Sequence, residues 1–184
     1  MKILLFLADG FEEIEAIAPI DVFRRAEIEV LTISVTDTLA VEGAHGVSIL
    51  ADYCLNELDT KNILEDALLF LPGGMPGTSN LDQSAELKSL ITKANNNKQF
   101  IAAICAAPSI LGKMGILKGK KAICYPGFEQ FLEGADVATT ETIVESDNIL
   151  TSKAPGTAIP FAIRIVEILK NKEVADRVKS DMFY

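Results

Sequence analysis

The chain reads as an α/β fold in which a mainly parallel, doubly wound sheet carries helices on both faces. Three observations lead there. Five short apolar runs, at 2–7, 28–35, 67–71, 100–104 and 121–124, are separated by segments with helical patterning. The runs are apolar almost throughout rather than alternating, which is how strands buried on both faces read. Parallel neighbours need long crossover connections, and the intervening helical segments supply them.

The elements follow in order. The apolar stretch of the first run ends at Leu7, and Asp9, Glu12, Glu13 and Glu15 come directly after, so it reads as a strand and not as a leader. A helix is expected over 12–26, with Phe11, Glu15, Ala18 and Val22 on one face at helical spacing. Gly43 and Gly46 break the segment 41–50 into a hairpin or bulged excursion after the second strand. Helices are expected at 84–95, 106–114, 128–133 and 157–170, Pro108 being tolerated in a first turn. A second hairpin is expected from 141–144 and 149–151 around Asp147-Asn148. No repeat, linker or low-complexity tract appears, and 184 residues with 49% apolar content suit one domain spanning 1–184.

Composition narrows the function. With 26 Asp plus Glu against 17 Lys plus Arg, a nucleic-acid surface is disfavoured. No stretch approaches the roughly 18 apolar residues that span a membrane. The expectation is a soluble, cytoplasmic protein with neither nucleic acid nor membrane as partner. Cys54, Cys105 and Cys124 are odd in number and lack metal-ligand spacing, which argues against a disulfide scaffold and against a metal site.

In a doubly wound sheet, ligands bind beyond the carboxyl ends of the strands, where strand order reverses. Three segments should converge there. Cys105 stands where the strand 100–104 stops and the helix 106–114 begins, so its sulfur would face unpaired N–H groups and the positive end of a helix, which favour thiolate. The alternative is a buried, inert cysteine. Glu15 interrupts an apolar stripe, and a carboxyl held against apolar surface beside a thiolate has a raised pKa, so it could stay protonated and serve as a proton donor; the alternative is a cap or solvated edge. Glu12 and Glu13 are read as complementing the helix dipole. Gly73-Gly74 after the third strand can fold into an anion-binding nest, which with the Ala106 N–H would form an oxyanion hole beside the thiol. No phosphate-binding glycine loop is present.

Five stretches in order, 8–15 (Ala-Asp-Gly-Phe-Glu-Glu-Ile-Glu), 71–77 (Leu-Pro-Gly-Gly-Met-Pro-Gly), 101–108 (Ile-Ala-Ala-Ile-Cys-Ala-Ala-Pro), 124–129 (Cys-Tyr-Pro-Gly-Phe-Glu) and 150–157 (Leu-Thr-Ser-Lys-Ala-Pro-Gly-Thr), resemble the ThiJ/PfpI superfamily, in particular the branch of the parkinsonism-associated deglycase. The resemblance covers essentially the whole chain. It implies a flavodoxin-like fold of the class I glutamine amidotransferase-like kind and a homodimer with the pocket near the interface. It also implies Cys105 as an oxidisable nucleophile, Glu15 as the protonated partner of its sulfur, and Gly73, Gly74 and Ala106 as the anion-binding turn. Where some members carry a catalytic histidine before a proline, this chain has Tyr125 before Pro126, leaving the helix dipole, its amides or Tyr125 to support a thiolate. Ala106 in place of the protease-like members' histidine, and the missing C-terminal His-x-Glu of the amidotransferase relatives, argue against peptidase and glutaminase activity.

Tyr125, His45 and Pro155 are candidates for the pocket wall. His45, the one histidine of the chain, is the candidate imidazole base, although a surface or interface role is the commoner use of such a residue. Cys124 could resolve an oxidised Cys105 if their strands are neighbours. The expected activity is cofactor-free conversion of small reactive carbonyls, of the glyoxalase or deglycase kind, on an aldehyde or glycated substrate. The alternative is a non-catalytic redox sensor or redox-regulated chaperone acting through oxidation of Cys105.

Overall fold

The protein is described by a computed structural model covering residues 1–59 and 62–184. Strand β1 (Lys2–Leu7) leads through the tight 8–12 loop into helix α1 (Glu13–Arg25), then β2 (Val30–Ser34). The excursion that follows is an antiparallel hairpin of β3 (Ala40–Glu42) and β4 (Ser48–Leu50), after which β5 (Tyr53–Cys54) adds an edge strand. The chain continues through β6 (Ala67–Leu71), α2 (Gly77–Gln83), α3 (Ala85–Asn96), β7 (Ile101–Ile104), α4 (Pro108–Lys113), β8 (Lys121–Ala122) and β9 (Asp136–Val137). The hairpin of β10 (Ile143–Ser146) and β11 (Ile149–Ser152), then α5 (Ala158–Leu169) and α6 (Lys172–Asp181), complete it.

The main sheet has the order β10-β11-β7-β6-β1-β2-β5, parallel except for β10 at one edge. Strand order reverses at β1, between β2 and β6, so the loops after β1, β6 and β7 meet at one end. Within β1, alternate side chains go to opposite layers. Ile3, Leu5 and Leu7 pack with residues of α1, α5 and α6, and Leu4 and Phe6 pack with residues of α3 and α4. Phe70 anchors the first layer between Phe23 and Phe161, with ring centroids 5.8 Å apart in each pair, and burying each ring contributes roughly 1.5–3 kcal/mol.

Two expectations are corrected. The strand over 121–124 shrinks to β8, which pairs with β9 outside the main sheet, and the further neighbour of β7 is β11. The reason lies in the amides: Ile123 N–H donates to Thr151 Oγ1 at 3.0 Å and Tyr125 N–H to the Cys105 carbonyl at 2.7 Å, so neither joins a ladder. The helix expected at 128–133 is a single 3-10 turn, Glu129–Phe131. Among the described residues no helix is long and apolar enough to cross a membrane.

Candidate functional site

Cys105 directly follows β7 with φ +65°, a left-handed backbone that costs a residue bearing a Cβ about 1–3 kcal/mol. Two bonds hold it there. Its N–H donates to the Ser152 carbonyl of β11 at 2.9 Å, and its own carbonyl accepts from Tyr125 N–H at 2.7 Å. The bend delivers the side chain to the loop after β6, at the start of α4.

Glu15 comes to the same point from α1. Its N–H is capped by Glu12 Oε2 at 2.8 Å, which fixes the first turn, and its own Oε2 accepts from Gly73 N–H at 2.8 Å. Gly73 is the spacer between acid and thiol. A Cβ there would lie 2.6 Å from Glu15 Oε2 and 2.7 Å from the Cys105 Cβ, so no larger residue fits. Gly74 has φ +93° and would place a Cβ 2.4 Å from the Glu12 nitrogen, so the turn needs glycine for conformation and for space. Among the described residues Glu15 Oε1 is buried without a partner in ordinary hydrogen-bond geometry, and the carboxyl as a whole has the Cys105 thiol as an interacting neighbour.

Burial pushes the Glu15 carboxyl up to about 7, with the Glu12 charge adding to the rise, while the Cys105 thiol and the Gly73 amide pull it down. The expected depression of the thiol is not found. Burial drives it up, the Glu15 charge and hydrogen bond drive it further, and the amides of Gly74 and Ala106 oppose this without reversing it. Acid and thiol are one coupled pair that shares a proton. Once Glu15 is charged, that proton sits on sulfur, and Glu15 is positioned to take it.

The sequence-derived candidates divide in two. Glu15, Gly73, Gly74, Cys105 and Ala106 converge. Tyr125 touches the site through its backbone amide; its side chain is exposed and makes no hydrogen bond among the described residues. Pro155 starts a 3-10 turn at the carboxyl end of β11, one strand from β7. His45 sits in the β3–β4 turn, its ring exposed and its Nδ1 2.8 Å from Glu13 Oε2, so it meets the first turn of α1. Cys124 packs with the opposite layer from Cys105.

Two residues do more than their dipole reading suggested. Glu12 caps α1, and Glu13 Oε1 accepts from His45 N–H at 2.7 Å, clamping the hairpin onto the loop after β1. An acidic triplet at a helix start hints at a cap, but its long-range partner has no sequence signal.

A parallel sheet with a strained cysteine elbow at its switch point, facing a buried acid across a glycine pair, defines a cysteine-centred α/β protein of the flavodoxin-like kind. The DJ-1/PfpI family model matches residues 1–168, and the chain belongs to that family. It is 38% identical over 180 residues to protein DJ-1 homolog A of Arabidopsis thaliana, covering 97% of this chain but only 45% of that relative, so it spans about half the relative's length. It is 34% identical over 171 residues to the glutathione-independent glyoxalase DJR-1.2 of Caenorhabditis elegans, covering 93% of this chain and 89% of the relative. Among solved structures, oxidized Toxoplasma gondii DJ-1 superposes with a TM-score of 0.89 at 36% identity, covering 100% of this chain and 98% of that one.

Proposed function

We propose that the protein is a cofactor-free glyoxalase acting on small 2-oxoaldehydes, with the same chemistry open to glycation adducts. The observation that carries this reading is the Glu15–Cys105 pair joined across Gly73, with a carboxyl whose pKa lies near neutrality, where a general base is most effective. The kinship with a glutathione-independent glyoxalase supports it.

In the proposed reaction, Glu15 takes the thiol proton as Cys105 Sγ bonds to the aldehyde carbon, and the carbonyl electron pair becomes an alkoxide held by the Gly74 and Ala106 N–H groups. Protonated Glu15 returns its proton to that oxygen, giving a neutral hemithioacetal. The carboxylate then removes the hydrogen on the former aldehyde carbon and delivers it to the neighbouring carbon, while the hydroxyl proton on the first carbon passes to the neighbouring carbonyl oxygen, giving a thioester of the 2-hydroxy acid. Water cleaves the thioester and restores the thiol. One carbon is oxidised and its neighbour reduced, so no external electron carrier enters.

Exposed Ile14 and Ile17 on α1, with Val47 and Leu50 on the hairpin clamped to it, support a homodimer through this face. A second reading, a non-catalytic redox sensor or chaperone, is favoured by the oxidized state of the Toxoplasma gondii relative: a sulfinic acid at Cys105 would accept from the same amides. Methylglyoxal separates the two. Metal-free protein is expected to form lactate, and Cys105→Ser to lose at least about a thousandfold in rate. A wild-type rate equal to that of buffer, with Cys105 readily oxidised by peroxide, would leave the sensor reading standing.

A further inference from the structure

Glu12, the residue before α1, stands where the two halves of the acid–thiol site meet, and it is only 9% exposed. Its Oε2 accepts from the Glu15 N–H at 2.8 Å, its own N–H donates to the Gly73 carbonyl at 3.0 Å, and the Gly73 N–H donates to Glu15 Oε2 at 2.8 Å. These bonds close a ring through Glu12, Glu15 and Gly73. In a capping box, the acid at the third helical position reaches back to the N–H of the capping residue. Here Gly73 is interposed: its carbonyl takes the N–H of Glu12, and its own N–H goes to the Glu15 carboxyl. The carboxyl is thereby held on the glycine turn beside Cys105 and not on its own helix.

The ring also fixes where a charge sits. Serine, threonine, asparagine or aspartate is the usual cap of a helix, and what glutamate adds over the neutral three is a negative charge in the same turn as the acid. The groups that face Glu15 from the elements around it can be named. The elbow brings the Cys105 thiol, and the glycine turn brings main-chain groups. On the β3–β4 hairpin, His45 is bonded to Glu13 at 2.8 Å, and on α5, which packs along α1, Arg164 and Glu167 pair at 2.9 Å. Glu12 is the like charge that acts on the Glu15 carboxyl, and it disfavours the loss of the Glu15 proton.

We infer that Glu12 is a positioning residue of the reaction: its carboxylate and its N–H hold Glu15 on the Gly73 turn, and its negative charge makes Glu15 the stronger base toward the Cys105 thiol. It acts through Glu15. The inference rests on the glyoxalase reading and adds to it the group that tunes the base. Glu12→Gln keeps an oxygen for the Glu15 N–H and removes the charge. With methylglyoxal as substrate, the midpoint of kcat/KM against pH should then fall from near 7 by roughly 0.5–1 unit. The ratio of kcat/KM at pH 8 to that at pH 5 should drop about three- to eightfold. Glu12→Asp, which keeps both the charge and a favoured cap, should return the midpoint to near 7. If Glu12→Gln does not fold, Glu12→Ser, a strong cap without charge, carries the same expectation.

A cap that served structure alone would change the melting temperature and the height of the profile but not its midpoint. A midpoint unmoved in a folded Glu12→Gln or Glu12→Ser protein, or a loss equal at every pH, would therefore overturn the inference. Absence of methylglyoxal turnover in wild type would remove the glyoxalase reading and leave the role of Glu12 to a direct titration. The carbon-13 resonance of the Glu15 side-chain carboxyl, followed against pH, is expected to turn near 7 in wild type and lower in Glu12→Gln. Equal midpoints in that titration would sink the inference whatever the protein turns over.

Discussion

Cys105 and Cys124 are both buried, both stand near strand ends, and both have thiols pushed up by burial, that of Cys124 to about 12. What separates them is company. The Glu129 charge raises the Cys124 thiol further, and Cys124 lines a cavity of about 130 Å³ with Pro126 and Lys153. Cys105 has two main-chain amides and a carboxyl that burial brings to about 7. Burial alone makes a thiol inert, and an adjacent base near neutrality makes the same thiol usable.

The sharpest test of that contrast is Glu15→Gln, which keeps the Gly73 hydrogen bond and removes the base. Turnover should fall by about 10²–10⁴. The wild-type rise in kcat/KM with pH, centred near 7 as Glu15 loses its proton, should disappear with it. Stability should move the other way. The folded protein holds the Glu15 proton up to about 7 where the unfolded chain releases it near 4.5, so wild-type stability falls between those values and the deficit persists above them. The shift corresponds to about 3 kcal/mol at pH 8 and to nothing below pH 4. At roughly 2–4 °C per kcal/mol, the variant should melt about 6–12 °C higher at pH 8 and level with wild type in acid. Equal melting temperatures at pH 8 would show that Glu15 is not strained by its burial.

Cys124→Ser probes the other thiol. A hydroxyl placed in that packed position should cost about 1–3 kcal/mol in denaturant unfolding, with turnover within about twofold of wild type. The two sulfurs pack in different layers, so intact mass after limited peroxide should show oxygen added to Cys105 and no loss of two protons. A Cys105–Cys124 disulfide in the peptide map would mean that the layers open, and the contrast would need rebuilding around a redox pair.

These outcomes bear on what the sequence could show. The runs at Lys2–Leu7 and Ala67–Leu71 were legible to the residue, because a strand apolar on both faces has no other home. The Cys105 bend and the glycine pair were legible from residue type alone. The sign of the thiol shift was not: it depends on how completely the elbow is buried and on a charge that arrives from 90 positions away at Glu15. Helix α2 was missed because its opening, Gly77-Thr-Ser-Asn80, has poor helix propensity and is held by tertiary bonds, Gly77 N–H to the Gly10 carbonyl at 3.1 Å and Asn80 Nδ2 to the Asp9 carbonyl at 2.8 Å. Strand β8 is shorter than its apolar run for the converse reason, since its neighbours' amides go to Thr151 and Cys105.

The smallest effect is expected at His45, and it tests the contrast from outside. The hydrogen bond and charge of Glu13 raise the His45 pKa, which favours the protonated ring over the free base. Replacing it with alanine removes the ring contact but leaves the backbone N–H of residue 45 on Glu13 Oε1, so the hairpin keeps its clamp. His45→Ala should therefore retain kcat/KM within about twofold and keep the pH midpoint near 7. If the midpoint vanished while Glu15 stayed in place, the proton acceptor would be the imidazole. The difference between the two thiols would then rest on the hairpin that brings His45 in, and not on the acid beneath the elbow.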